Sequence, residues 1–146
     1  MYKRQAKRWR NFKIVAEACL AHGGHVALEW PKSCAYWRRG DVKRALRRWG
    51  CTMHHFDGCM YGLASVQTKT KGQLLRKPWT IASTSNEFAG LRRRCDGSHD
   101  HVKTAGADTK QTEGYTAPLA DEIHCCWTRQ CHAHCAHGDS TNTSTQ

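Results

Sequence analysis

Three side chains that commonly bind metal ions lie close together in the chain, at Cys95, His99 and His101. Cysteine thiolate and histidine imidazole are the usual zinc ligands, and a structural zinc site needs four of them. His99 and His101 are two residues apart, so both side chains point the same way if the segment is extended. Cys59 lies in a predicted turn and is the candidate fourth ligand. The sequence thus predicts a zinc site of Cys59, Cys95, His99 and His101, and the alternative is a buried cysteine beside two exposed histidines.

Glu29 is a candidate for a different chemistry. It lies in the run His25–Pro31, which predicts a short buried strand that ends in a carboxylate and is stopped by a proline. In open α/β sheets, ligands and reacting groups lie beyond the carboxyl ends of strands. Burial raises the pKa of a carboxyl group, which allows it to protonate or hydrogen-bond a base ring. Glu29 is therefore a candidate catalytic residue, and the structural alternative is a glutamate that pairs with a nearby arginine or caps a helix.

The chain is strongly basic, with a net charge of +11 from 23 Lys and Arg against 12 Asp and Glu. Such an excess favours nucleic acid or another polyanion as a partner. Lysine and arginine neutralise phosphates, and the interleaved aromatic side chains can stack on unpaired bases. The alternative is a solvated surface that keeps a small protein soluble. The candidate nucleic-acid-binding residues are Arg38, Arg39, Arg44, Arg48, Arg76, Lys77, Arg92 and Arg93.

Length and composition narrow the class of protein. The 146 residues allow one domain, and a hydrophobic content of 39% predicts a modest core. No apolar run is long enough to span a bilayer, and the basic N-terminus lacks the apolar region of a secretory signal. Nine cysteines would leave one thiol over in a full disulfide framework. These features favour reduced thiols and an intracellular protein of the cytoplasm or nucleus, with no membrane partner.

The elements that must position these side chains follow from apolar periodicity and from turn residues. Trp9, Ala16 and Leu20 recur near helical spacing and are followed by two glycines, which predicts a helix over 3–22. The other predicted elements are a strand over 25–30, a helix from its N-cap Asp41 to Trp49, strands over 51–57 and 79–84, a short helix over 86–91 and a helix over 117–127.

Residues 1–128 are predicted to form one domain, followed over 129–146 by a Cys/His-rich and then disordered tail. Within the domain, residues 95–116 are polar, contain glycine and show little periodicity. Such a segment has little apolar surface with which to fix itself. A zinc ion would tie it to the sheet.

Four short motifs follow one another along the chain: Glu29-Trp30-Pro31, Cys59-Met60-Tyr61-Gly62, Lys77-Pro78-Trp79 and the run Arg-Cys-Asp-Gly-Ser-His-Asp-His at 94–101. Their order resembles methyltransferase-like domains in open reading frames of eukaryotic retroelements and of marine or viral genomes. More broadly, the chain resembles the second half of a class I methyltransferase of the C5-cytosine DNA type. Residues 73–77, Gln-Leu-Leu-Arg-Lys, are a degenerate version of that family's Gln-x-Arg-x-Arg motif. The likeness covers about residues 10–127.

This resemblance implies a role for Glu29, because the matching Glu of the family contacts the target cytosine ring. It also implies what the chain lacks. The family binds S-adenosylmethionine on a Gly-rich loop after its first strand and carries its nucleophile in a Pro-Cys loop, and neither element is found here. The cofactor would therefore be S-adenosylmethionine only if a separate N-terminal half completed the fold, and that partner chain would also complete the sheet.

The sequence therefore predicts an α/β fold, a partial Rossmann-like layered sheet flanked by helices, with an irregular Cys/His-containing segment. The predicted function is a catalytically incomplete, methyltransferase-like, nucleic-acid-binding fragment from a mobile element or virus. Two alternatives stay open. One is a small zinc-stabilised interaction module, and the other is part of a methyltransferase that needs a separate N-terminal half.

Overall fold

A computed structural model describes residues 2–138 and shows a mixed α/β fold with a small sheet. Three short 3₁₀ turns, at Ala35–Arg38, Gly58–Tyr61 and Asn86–Leu91, connect the main elements. The helices are α1 (Tyr2–Ala21), α2 (Gly40–Arg48), α3 (Ala107–Gln111) and α4 (Ala117–Gly138), and the strands are β1 (Ala27–Pro31), β2 (Thr52–Asp57) and β3 (Pro78–Ser83).

The three strands form one sheet in the order β1-β3-β2, and both pairings are antiparallel. A Rossmann-like sheet is built from parallel neighbours, so that part of the predicted fold is not confirmed. The reason lies in the position of β3. Strands β1 and β2 run parallel and are joined through α2, as in a βαβ unit, but β3 lies between them and pairs with both in the opposite direction.

Helices cover both faces of the sheet, and the central strand β3 is buried from Trp79 to Ser83. Because side chains alternate along a strand, Trp79 and Ile81 face one layer while Ala82 faces the other. The first layer contains α4 and the turn 86–91 and includes Phe88 and Leu91. The second layer contains α1, α2 and the turn 35–38.

The layer of α1 and α2 is held together by aromatic side chains that pack against one another. The ring of Trp9 lies 5.9 Å from that of Trp30 and 6.0 Å from that of Trp49. Trp37 packs edge-on against Trp30 at 4.7 Å and donates its indole N–H to the carbonyl oxygen of Pro31. Trp9 is therefore part of the core of the layer, and Trp30, Trp37 and Trp49 are partly buried against it.

The C-terminal part of the chain differs from the predicted tail. Helix α4 continues to Gly138, well past the predicted end at 127, so the Cys/His-rich residues 129–138 are helical. Of the residues predicted to be disordered, 138–146, Gly138 is the last residue of α4 and 139–146 lie outside the described part of the chain. None of the helices in the described part is long and apolar enough to cross a bilayer.

Two buried aspartates fix the polar segment 95–116 to the rest of the fold. Asp108 is 1% exposed and accepts hydrogen bonds from the Ser65 hydroxyl at 2.8 Å, the Val66 N–H at 2.8 Å and the Gln67 amide at 2.7 Å. These bonds hold the pKa of Asp108 below its usual range, so the carboxylate stays charged. The second aspartate, Asp57, belongs to the site described below.

His54 on β2 makes the stability of this fold dependent on pH. It is 1% exposed, and its Nδ1 accepts a hydrogen bond from the Arg92 guanidinium at 3.2 Å. Burial and the charge of Arg92 lower the pKa of His54 to about 4. The unfolded chain therefore binds the proton first, and stability is lost as the pH falls from 6.5 towards 4.

We expect this residue to contribute a loss of roughly 2 kcal/mol in the free energy of unfolding between pH 7 and pH 5. Urea unfolding of the wild type and of His54→Gln at the two pH values measures it. The variant removes the titrating ring, so its own loss should be smaller by about that amount. An equal loss in both proteins would contradict the assignment to His54.

Candidate metal centre

Cys59 is placed by the 3₁₀ turn that follows β2. The turn needs glycine at position 58, because a Cβ there would lie 2.7 Å from the Leu63 side chain and 3.1 Å from the Trp79 ring. Tyr61 anchors the other end of the turn by donating its hydroxyl to the carbonyl oxygen of Leu91 at 3.0 Å. The Cys59 side chain is consequently buried, at 5% exposure, directly beyond the end of β2.

Cys95 is held beside the same strand end by Asp57. The Asp57 N–H donates to the carbonyl oxygen of Arg93 at 3.0 Å. Its carboxylate accepts from the Cys95 N–H and from the Arg94 guanidinium, both at 3.0 Å. Asp57 is fully buried, so these contacts fix the backbone of 93–95 against β2. The role of Asp57 was not predicted from the sequence, although an aspartate at the buried end of a strand always needs partners.

A tight turn then brings the two histidines back to Cys95. The Asp96 carboxylate accepts from the Ser98 N–H at 2.9 Å, and Gly97 takes a φ of +84°, which favours glycine. The Gly97 N–H also points at the Cys95 sulfur, at 3.4 Å. His99 and His101 lie side by side after the turn, with ring centroids 4.6 Å apart.

The four residues predicted from the sequence come together in space. Their donor atoms, two Sγ and two ring nitrogens, all lie within 4.8 Å of one another. The Cys95 Sγ lies 3.6 Å from the Nε2 of His99 and 3.5 Å from the Nε2 of His101. Zn–S and Zn–N bonds of about 2.3 and 2.05 Å at a tetrahedral angle put sulfur and nitrogen about 3.6 Å apart. The cluster can therefore hold a metal ion with little movement of its side chains.

No protein-family model, curated protein or solved structure matches this chain.

The buried thiol of Cys59 is neutral in the absence of a metal. Burial, with an added hydrogen bond to the Cys95 thiol, raises the pKa of Cys59 to about 11. A bound divalent cation has the opposite effect and favours the thiolate, because it is a larger local charge than any side chain. Cys59 and Cys95 are both free, so both thiols of the cluster are available to a metal.

Glu29 does not lie at a strand end, which corrects the position predicted from the sequence. Strand β1 continues to Pro31 and is an edge strand, with Glu29 opposite Ile81. One carboxylate oxygen accepts from the Tyr115 hydroxyl at 3.0 Å, and the other is buried with no hydrogen-bond partner among the described residues. Burial raises the pKa of Glu29, while Tyr115 and Lys77 act in the opposite direction. Its catalytic role stays a prediction.

The eight predicted nucleic-acid-binding residues belong to different segments of the fold, and all but Lys77 are exposed. Arg38, Arg39, Arg44 and Arg48 are exposed in the layer of α1 and α2. By contrast, Arg93 pairs with Glu122 of α4 at 3.2 Å and lies over the Tyr61 ring, and Arg92 donates to His54. Lys77 is half-buried and donates to the Thr112 carbonyl oxygen. Arg39 and Arg48 also pair within the protein, with Asp41 and Glu17. Arg38, Arg44 and Arg76 are the remaining three of the eight, and they are exposed.

Proposed function

We propose that this chain is a small zinc-stabilised binding module. In this proposal, one zinc ion bound by Cys59, Cys95, His99 and His101 fastens the polar segment after β3 to the end of β2. The observation that carries the proposal is the separation of the donor atoms, 3.5 and 3.6 Å from the Cys95 sulfur to the two imidazole nitrogens. Two thiolates with two imidazoles form a donor set that suits zinc.

The ligand set favours a structural centre over a catalytic one. Four protein ligands complete a tetrahedral zinc site, whereas a catalytic zinc keeps one position open for water or substrate. Cys59 and Cys95 are 5% and 9% exposed, which restricts access to the ion. A structural zinc ion would also hold the loop 96–101 in place, because this loop has few apolar side chains that could pack against the rest of the fold.

The methyltransferase-like interpretation remains a prediction, in both its incomplete and its two-chain forms. The antiparallel sheet lacks the parallel edge at which a Rossmann-like domain assembles its site, so it gives that interpretation no support. The module needs no missing half, and its metal ligands are all supplied by this chain. We therefore prefer the zinc-stabilised module.

Metal analysis of the purified protein tests the proposal. The wild type should contain one zinc ion more than Cys95→Ser, and Cys125→Ser should match the wild type because that exposed thiol on α4 lies outside the cluster. Substituting cobalt should give the intense visible absorption of a tetrahedral thiolate site in the wild type and lose it in Cys95→Ser. A Cys95→Ser protein with undiminished zinc content would refute the proposal.

A further inference from the structure

The excess of positive charge is concentrated in one third of the chain. Residues 1–50 contain thirteen Lys and Arg against three Asp and Glu, whereas residues 51–146 contain ten against nine. The first fifty residues thus account for ten of the eleven net charges. They supply α1, β1, the turn 35–38 and α2, which together form one layer of the fold.

Most of these charges lie at exposed positions of α1 and α2, which belong to the same layer. The indole of Trp9 on α1 donates to Asp41 on α2 at 3.1 Å, and Phe12 packs against Trp49, so the helices are neighbours. Val42 and Leu46 point into the layer. We call the exposed cations of the two helices the basic helix face. They are Lys7, Arg8, Arg10, Lys43, Arg44, Arg47 and Arg48.

Little acidic charge opposes this face. Glu17 pairs with Arg48, and Asp41 pairs with Arg39 at 3.0 Å. Among the described side chains, the other cations of the face have no carboxylate within 4.0 Å. Lys43 and Arg47 also repel each other, because like charges four residues apart destabilise a helix. A polyanion would remove this repulsion on binding.

The side chains of the layer indicate which polyanion fits. Proteins that bind single strands stack bases on exposed aromatic rings, but here Trp9, Trp30 and Trp49 pack against one another. What the face offers is charge: three exposed cations on one turn of α1, within residues 7–10, and four on α2, within residues 43–48. Duplex nucleic acid carries one phosphate charge per ~1.7 Å of its axis. We propose that the basic helix face binds the phosphate backbone of double-stranded nucleic acid without reading its bases.

This inference rests on the proposed function in one respect: it names duplex nucleic acid as the partner of the proposed binding module. The metal ligands belong to the turn after β2 and to the segment after β3, and none belongs to α1 or α2. Duplex binding and zinc content can therefore be measured separately in the same protein. A protein without zinc that binds duplex through α2 would refute the zinc centre alone, whereas a zinc-containing protein that binds no duplex would refute this inference alone.

The test measures binding of the full chain to a labelled mixed-sequence 20-base-pair DNA by fluorescence anisotropy over a series of salt concentrations. The α2 variant is Lys43→Gln, Arg44→Gln, Arg47→Gln. The matched control is Lys69→Gln, Lys71→Gln, Lys110→Gln, which removes the same charge from exposed positions outside the face. The α2 variant should bind at least about tenfold more weakly, with a salt slope smaller by about 2 to 3, and the control should change affinity less than about twofold.

Three outcomes would overturn the inference. One is the absence of duplex binding at low salt, and another is an equal loss of affinity in both variants, which would mean that net charge alone attracts the duplex. The third is equal or tighter binding to vesicles of phosphatidylserine and phosphatidylcholine, which would identify an anionic membrane surface as the partner. Circular dichroism and zinc content of each variant must match the wild type. If the triple variant does not fold, single substitutions of Arg44 and Arg47 give the same comparison.

Discussion

Chelation of zinc is expected to lower the free energy of unfolding by about 4 kcal/mol when free zinc had been 1,000-fold above its dissociation constant. For a chain of this size, that corresponds to a fall of roughly 10 °C in melting temperature. The loss should begin locally. Residues 96–101 depend on the cluster, whereas the sheet and its two layers keep their apolar cores. Hydrogen exchange should therefore show that protection is lost first in the segment after Arg94.

The control for this experiment is Cys95→Ser with and without the chelator. Because that variant lacks a complete ligand set, chelation should leave its melting temperature unchanged. Added zinc should restore the melting temperature of the wild type and leave that of the variant unchanged. If chelation leaves the wild-type melting temperature and exchange pattern unaltered, the metal has no structural role.

Replacing Asp57 is the second change for which we expect a large effect. Asp57→Ala should destabilise the fold by about 3 kcal/mol, because the buried Cys95 N–H loses its acceptor and the Arg94 guanidinium loses its partner. Asp57→Asn should cost less, since an amide oxygen can still accept from Cys95. Zinc affinity should fall 10- to 100-fold in Asp57→Ala, because partners that orient a ligand contribute that much to metal binding.

Urea unfolding and competition with a chromophoric chelator measure the two effects. Asp100→Ala is the matched control, because Asp100 is an exposed carboxylate in the same loop. Its stability should change by less than about 0.5 kcal/mol. If Asp57→Ala bound zinc as tightly as Asp100→Ala, Asp57 would stabilise the fold without helping to position the zinc ligands.

The metal cluster could be predicted from the sequence because its chemistry is carried by residue type. Cysteine and histidine at short spacing limit the ligand set. The turn between Cys95 and His99 is formed by neighbouring residues, Asp96 and Gly97, and can also be predicted from the sequence. Asp57 could not be assigned its role in this way. Its partners, Arg94 and Cys95, are 37 and 38 residues distant, and nothing local in the sequence pairs them.

The antiparallel arrangement of the strands could not be predicted either, because it too depends on partners that are distant in the chain. A strand, a helix and a second strand follow each other in β1, α2 and β2, and a Rossmann-like half would show the same order. What differs is the place of β3, which depends on long-range pairing and not on periodicity. The predicted position of Glu29 was wrong for the same reason. The rule that sites lie beyond the carboxyl ends of strands holds for parallel sheets, and this sheet is antiparallel.

The central position of β3 also sets the order of events as the chain folds. Its partners are far away in the chain, as in the pairing of Ala27 with Ser83. Until residues 78–83 have left the ribosome, β1 and β2 have no strand between them. Loop closure over such distances slows folding. We expect the sheet to form late, with helices α1 and α2 the first elements able to associate and the basic helix face assembled before the metal ligands meet.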